Sequence, residues 1–334
     1  MSGIEFKHGE VPCQSVPTGR GKPCTNRAYY AQRNKPSVVV RSRRGNDSPG
    51  AADRGQARWV CLCGVHARDK KARVELPRMT PDEKKSLLEQ RLEREAAVIE
   101  QARAENEAVG RRGTVTLTRL RMLKEPEPMP GFRRVYPNYK HQNKADGFGC
   151  MRLSPKALGP VEHGQPGLPA ALNIENFHQG TKVFPEELDD DGNPSALYVE
   201  NRQAFYLDPV PHRHKYHGTT GVNKNIPAYF VWIDRDGQDH KLSCTGSRQF
   251  YCNFYERLAS QEPDFAHLID LLDGGTNLQI CGYDAKPLGP DETIEQAYLD
   301  ESTPFGHERV LYTMLLHHEA PDLYPWRKHK TFAF

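Results

Sequence analysis

The alternation of apolar and polar positions separates a polar front from a globular back. The longest regular stretch, "TPDEKKSLLEQRLEREAAVIEQARAENEAVG", predicts a single helix. Thr80 serves as its N-cap, Pro81 takes the first helical position, Glu83 completes a capping box and Gly110 ends it. Such a helix is on the order of 45 Å long. Its apolar stripe of Leu87, Leu88, Leu92 and Val98 is too thin for a sustained heptad seam, so it reads as a spacer lying partly on the main domain. A strand-like run, "TVTLTRLRML", follows, and then a Pro-rich basic connector, "KEPEPMPGFRRVYPNYKHQNKADG".

From about residue 148 the pattern becomes globular. "AYFVWID" predicts a strand running into the turn "RDGQ", "SRQFYCNFYERLA" an amphipathic helix, and "DFAHLIDLLDGG" a second helix with a glycine stop. "NLQICGYD" predicts a buried strand and "GHERVLYTMLLHH" another helix. The expected organisation is a basic module over residues 1–78, a helix and linker over 79–147, and an α+β domain over 148–334.

One segment of that domain stands out. In "NIENFHQGTKVF", Glu175, Gln179 and Lys182 fall at i, i+4 and i+7, one face of a helix, while Ile174, Phe177 and Thr181 mark another. The segment therefore presents a carboxylate, an amide and an amine together.

Composition adds a charge asymmetry to this picture. Residues 1–78 hold 16 Lys+Arg against 6 Asp+Glu, and residues 146–334 hold 16 against 27. The positive front suits phosphate-bearing partners such as DNA or RNA, and the back is acidic. With 26 prolines and a 37% hydrophobic share, the chain predicts long loops and no membrane span. The stretch "MSGIEFKHGE" has no apolar leader, so the expected location is intracellular, in cytoplasm, nucleus or a virion.

Eight cysteines in such a setting point to metal binding or buried thiols. Cys13, Cys24, Cys63 and His66 form a three-thiolate, one-imidazole set suited to tetrahedral zinc, with Cys61 as an alternative to Cys63. The surrounding segment has few apolar residues and needs such a staple. The set, in "CQSVPTGRGKPCTNRAYY" and "CGVH", resembles short Cys3His fingers of chromatin-associated and large-DNA-virus proteins, which implies a zinc-dependent targeting module. Cys244, Cys252 and Cys281 are expected to be core thiols.

The order "LSPKALGPV", "NIENFHQGTKVF", "SRQFYCNFYERL", "LLDGGTNLQICGYD" and "FGHE" resembles the NADAR domain, over about residues 150–316. Glu175, Gln179 and Lys182 match that family's Glu-His-x2-Gln-x2-Lys motif, with Asn176 at the histidine position. The resemblance implies N-glycosidic chemistry on an ADP-ribose-like or other nucleotide ligand. The residues are suited to it, because an oxocarbenium-like state needs a nearby carboxylate. Glu175 is the first candidate and Asp284 the second. Lys182 and Arg248 are expected to hold phosphate, and Tyr251 and Tyr255 to stack on a base. His214, in the basic loop "DPVPHRHKYHG", and His307, at a helix start, complete the expected binding set. The alternative is a non-enzymatic nucleic-acid-binding or virion-associated protein, in which the front does the work.

Overall fold

A computed structural model describes residues 80–121, 126–138, 140–214 and 226–330, together with the backbone of three strands between residues 30 and 75. The chain mixes helix and sheet and forms two compact units, Met1–Glu93 and Arg94–Phe334. In the first unit, strands β1 (Tyr30–Arg33), β2 (Trp59–Leu62) and β3 (Arg73–Glu75) pair antiparallel in the order β2-β1-β3. Cys61 lies on β2 opposite Ala31. Cys13, Cys24, Cys63 and His66 lie outside the described residues.

Helix α1 (Pro81–Ala108) begins in the first unit and continues into the second. Its start is the anticipated capping box. The Thr80 amide donates to Glu83 Oε2 at 2.9 Å, and the Glu83 amide donates to Thr80 Oγ1 at 3.2 Å. Gly110 follows the helix with a φ of +61°, a left-handed stop that glycine adopts at no steric cost.

The second unit is built on a parallel sheet of β4 (Val115–Arg119), β10 (Asn277–Gly282), β5 (Phe132–Tyr136) and β6 (Phe148–Gly149), in that spatial order. Strand β10 sits between β4 and β5, so the sheet closes across more than a hundred intervening residues. The stretch over 79–147, expected to hold a helix and a linker, therefore supplies two of the four strands, β4 and β5. The reason lies in the basic residues of "GFRRVYP". Arg134 is 4% exposed and is no solvated linker residue. Its guanidinium pairs with Glu95 of α1 and lies 3.3 Å from Asp146, while Nε donates to the Asp146 carbonyl at 2.8 Å. Tyr136 also donates to Asp146, at 3.0 Å.

Helices α4 (Cys244–Ala259) and α7 (His307–Leu316) pack in the core with the sheet, burying Leu117, Val135, Ile280, Phe250, Phe254 and Leu311. Helix α5 (Pro263–Asp273) ends at Gly274, and Gly275 has a φ of +87°. A smaller antiparallel sheet joins β7 (Lys182–Val183), β8 (Tyr229–Ile233) and β9 (Asp239–Leu242). Helix α3 (Ala196–Leu207) packs on α2 (Ile174–Gly180) beside it. Among the described residues no helix is long and apolar enough to cross a membrane.

Removing one partner of a buried charge cluster leaves the others uncompensated. Arg134→Ala should therefore lower stability by about 3 kcal/mol or more. A solvated linker arginine would cost about 0.5 kcal/mol or less. The urea-unfolding midpoint of the full chain distinguishes the two, and an unchanged midpoint would remove Arg134 from the core.

Candidate functional site

Helix α2 starts at Asn173, whose side chain accepts from the Asn176 amide at 2.8 Å. It runs for seven residues and stops at Gly180, short of the helix expected to reach Lys182. The stop is steric. A Cβ on Gly180 would sit 2.8 Å from the Tyr206 ring of α3, so the backbone passes close under that ring. Lys182 is consequently the first residue of β7.

The three polar residues still converge, through side-chain hydrogen bonds rather than helical spacing. Gln179 Nε2 donates to Glu175 Oε1 at 3.1 Å, and Lys182 Nζ donates to Gln179 Oε1 at 2.9 Å. The same oxygen accepts from the His214 backbone amide at 3.2 Å. Gln179 is 6% exposed, whereas Glu175 and Lys182 are half-buried. Burial pulls the Lys182 ammonium down to about 8, with Arg213 adding to the effect and Glu175 and Cys244 opposing it.

A wall of rings stands beside this chain. His178 stacks on Phe230 with centroids 5.8 Å apart and tilts on Tyr251 at 5.0 Å. Its Nδ1 is enclosed without a hydrogen-bond partner among the described residues. Burial, reinforced by Lys182, drives its imidazole well below the usual range and keeps it neutral. Burial likewise pushes the Tyr251 hydroxyl well above its usual range, and the carboxylates of Glu175 and Glu308 both add to that shift.

Glu308, in the first turn of α7, was not singled out from the sequence. It is 1% exposed. A Cβ on Gly306 would lie 3.2 Å from Glu308 Oε2 and 3.4 Å from Asp284 Oδ2, so the two carboxylates approach each other across that glycine. A Cβ on Gly282 would come within 2.1 Å of Glu308 Oε1, which requires glycine at the end of β10. The signal was an acid at a helix start, a position the helix dipole favours.

Several expected binding residues prove to be structural. Arg248, 5% exposed, donates to the Tyr298 carbonyl and, at 2.6 Å, to the Thr303 carbonyl, so its guanidinium fastens the loop before α7. Tyr255 is fully buried and donates to the Leu153 carbonyl at 2.7 Å, leaving no face for a base. Tyr251, at 8%, offers little more. His307 places Nε2 3.1 Å from the Pro137 carbonyl and Nδ1 3.2 Å from Glu308 Oε2, tying the start of α7 to the end of β5. Cys252 and Cys281 are buried as expected, but Cys244 is exposed and acts on Lys182.

His214 is buried too, in a pair the sequence did not suggest. Its Nε2 lies 2.9 Å from Glu187 Oε1 and its Nδ1 3.2 Å from the Gln179 carbonyl, with Phe184 and Phe205 against the ring. Glu187 is fully buried and accepts from Asn201 at 2.8 Å and from the Phe184 amide at 3.0 Å. Asn176, where the resembled motif has histidine, donates to the Asp208 and Val210 carbonyls at 2.8 and 3.0 Å and accepts from the His212 amide at 3.0 Å. Asn176 and Gln179 thus clamp residues 208–214 along α2. An imidazole could not make all three of Asn176's bonds.

A separate cleft of about 950 Å³, lined by His163, Trp232, Asp234, Arg257, Glu256 and Arg327 among others, contains none of the candidate residues. Its charges are partly spent internally, Arg327 pairing with Glu256 and Arg257 donating to the Glu162 carbonyl. The convergence around Gln179 is the better candidate. Among the described residues, no group of three or more His, Cys, Asp or Glu is placed to hold a metal.

Burial alone would raise the Glu187 carboxyl, but the bonds from His214, Asn201 and the Phe184 amide outweigh it and hold it below the ordinary range. Its stabilising contribution is therefore present above the unfolded value of about 4.3 and lost as pH falls through the lower folded value. Glu187→Gln should cost about 3 kcal/mol at pH 7 and much less below that window. Denaturant midpoints across pH 2–7 test this, and a cost independent of pH would refute it.

Comparison with known proteins returns no match to this chain from family models, curated proteins or solved structures.

Proposed function

We propose that the second unit hydrolyses an N-glycosidic bond in an ADP-ribosyl, nucleotide or modified-base substrate. The observation that carries this reading is the bonded chain Glu175–Gln179–Lys182, which holds a half-buried carboxylate and a half-buried amine on one amide. In the proposed step the bond from the anomeric carbon to the base nitrogen breaks and its electrons leave with the base. Water adds its oxygen to the carbon, and the proton it sheds passes by way of Glu175 to the departing nitrogen. Glu175 stabilises the positive charge that develops on the sugar. Asp284 and Glu308 form an acidic flank beyond Tyr251, and Lys182 faces the anionic part of the ligand.

The first unit is proposed to bind one zinc ion through Cys13, Cys24, Cys63 and His66. Three thiols and an imidazole match the donors that structural zinc takes. The charge excess of residues 1–78 supports a polynucleotide as the partner of this unit. That same excess supports the second reading, a nucleic-acid-binding protein without turnover.

Glu175→Gln separates the two readings. It keeps shape and hydrogen bonding but removes the charge, so turnover of ADP-ribosylated substrate should fall about a hundredfold or more while ADP-ribose binding survives. Unchanged turnover, or no turnover by the native chain on nucleoside, nucleotide and ADP-ribosyl substrates, would leave the binding-protein reading. For the metal, elemental analysis should find one zinc per chain, and Cys24→Ser should reduce it. A zinc-free native protein would end that part of the proposal.

A further inference from the structure

Arg213 lies next in the chain to residues that are tied down on both sides. The His212 amide donates to Asn176 Oδ1 at 3.0 Å, and the His214 amide donates to Gln179 Oε1 at 3.2 Å. The backbone of Arg213 is therefore fixed along α2. Its side chain is exposed and makes no hydrogen bond or ion pair among the described residues. Lys182 Nζ and the His214 amide share one acceptor, Gln179 Oε1, which sets Arg213 beside the Lys182 amine, where the two like charges act on each other. Lys182 in turn donates only to Gln179 Oε1, at 2.9 Å, which leaves two of its three N–H donors unused.

Two cations held near each other by backbone and amide clamps, with seven unused donors between them, repel unless a shared anion lies between. The acids nearby do not supply it in bonded form. Glu175 bonds Gln179 rather than either cation, and the Glu187 carboxylate is turned inward to His214 and Asn201. Arg248, the other cation expected at this site, is committed to the Tyr298 and Thr303 carbonyls.

We propose that Lys182 and Arg213 form a phosphate subsite beside Glu175, so that the substrate of this site is a phosphate-bearing nucleotide and not a free nucleoside or base. The assignment rests on the N-glycosidic reading for its substrate class, but the anion site itself does not depend on turnover. Guanidinium and ammonium together suit a diphosphate. Arg213 presents a planar fork to one phosphoryl group, and Lys182 presents a point charge to the next.

The test uses the full chain and inorganic pyrophosphate, with the Lys182 amine followed by reductive methylation and peptide mass spectrometry. This readout isolates the site from the basic residues of the first unit. Pyrophosphate should protect Lys182 in the native chain, and Arg213→Ala should require about tenfold more pyrophosphate for the same protection. Arg213→Lys should fall between, and Arg213→Glu should abolish protection. Absence of protection in the native chain, or equal protection in Arg213→Ala, overturns the subsite. Glu175→Gln keeps the two ideas apart. Protection without Glu175-dependent turnover removes the hydrolase and leaves the subsite, whereas Glu175-dependent turnover without protection does the reverse.

Discussion

The side-chain amide of Gln179 is the constraint on which the candidate site depends. Its oxygen accepts from Lys182 Nζ and from the His214 amide, and its nitrogen donates to Glu175. An amide cannot be turned over in such a position. Rotated by half a turn, its nitrogen would face two donors and its oxygen a carboxylate, and every contact would become unfavourable. The carboxylate and the amine are thus held on a side chain that has one orientation available. Because Gln179 is nearly enclosed, these bonds form where water competes poorly, which raises the cost of losing any one of them.

The clamp is propagated outward by further buried groups. Glu187 and His214 form a pair walled by Phe184 and Phe205, and the pair fixes the end of the 208–214 segment whose start is held by Asn176. Elsewhere in the unit, charges buried away from water are matched locally. Arg134 is met by Glu95 and Asp146, Arg248 by two carbonyls, and Arg202 by Gln165 and the Tyr206 hydroxyl. Among the described residues, fully buried Arg309 bonds only the Lys286 carbonyl, at 3.3 Å, and keeps one nitrogen without a bond. Burial thus turns several basic residues of this unit into fasteners of its own loops.

That dependence on burial bears on what was legible in the sequence. The capping box of α1, the glycine stops after α1 and α5, and the helices of "SRQFYCNFYERLA" and "GHERVLYTMLLHH" are set by contacts within a few residues, and periodicity or cap chemistry revealed them. Strand β4 was legible as a strand-like run, whereas β5 was misjudged as linker because its membership in the sheet depends on β10, far along the chain. Nothing local distinguishes Arg134 in its ion pairs from an arginine in a basic linker. Glu175, Gln179 and Lys182 were grouped for a helical reason that fails at Gly180, yet they meet. Arg248 and Tyr255 were grouped with them by residue type and do not. Glu308 and Glu187 escaped notice because a lone acid has no period, and only burial marks it.

The break at Gly180 also explains why the site can exist at the surface at all. Had α2 continued, Lys182 would have lain on a helical face two turns from Glu175, with each side chain separately solvated and their interaction screened. The helix ends where the chain passes under Tyr206 at Gly180, and Thr181, fully buried, donates its hydroxyl to the His178 carbonyl at 2.8 Å to close the turn. Lys182 then enters β7 against Phe230 of β8, which partly desolvates its amine and sets it back toward the Gln179 oxygen. The burial that lowers the Lys182 ammonium to about 8 is thus a consequence of helix termination and sheet pairing. A short helix that ends at a glycine beneath a neighbouring ring, followed at once by a strand, places an acid and a partly desolvated amine on one amide, and no continuous helix or strand of this sequence would do so.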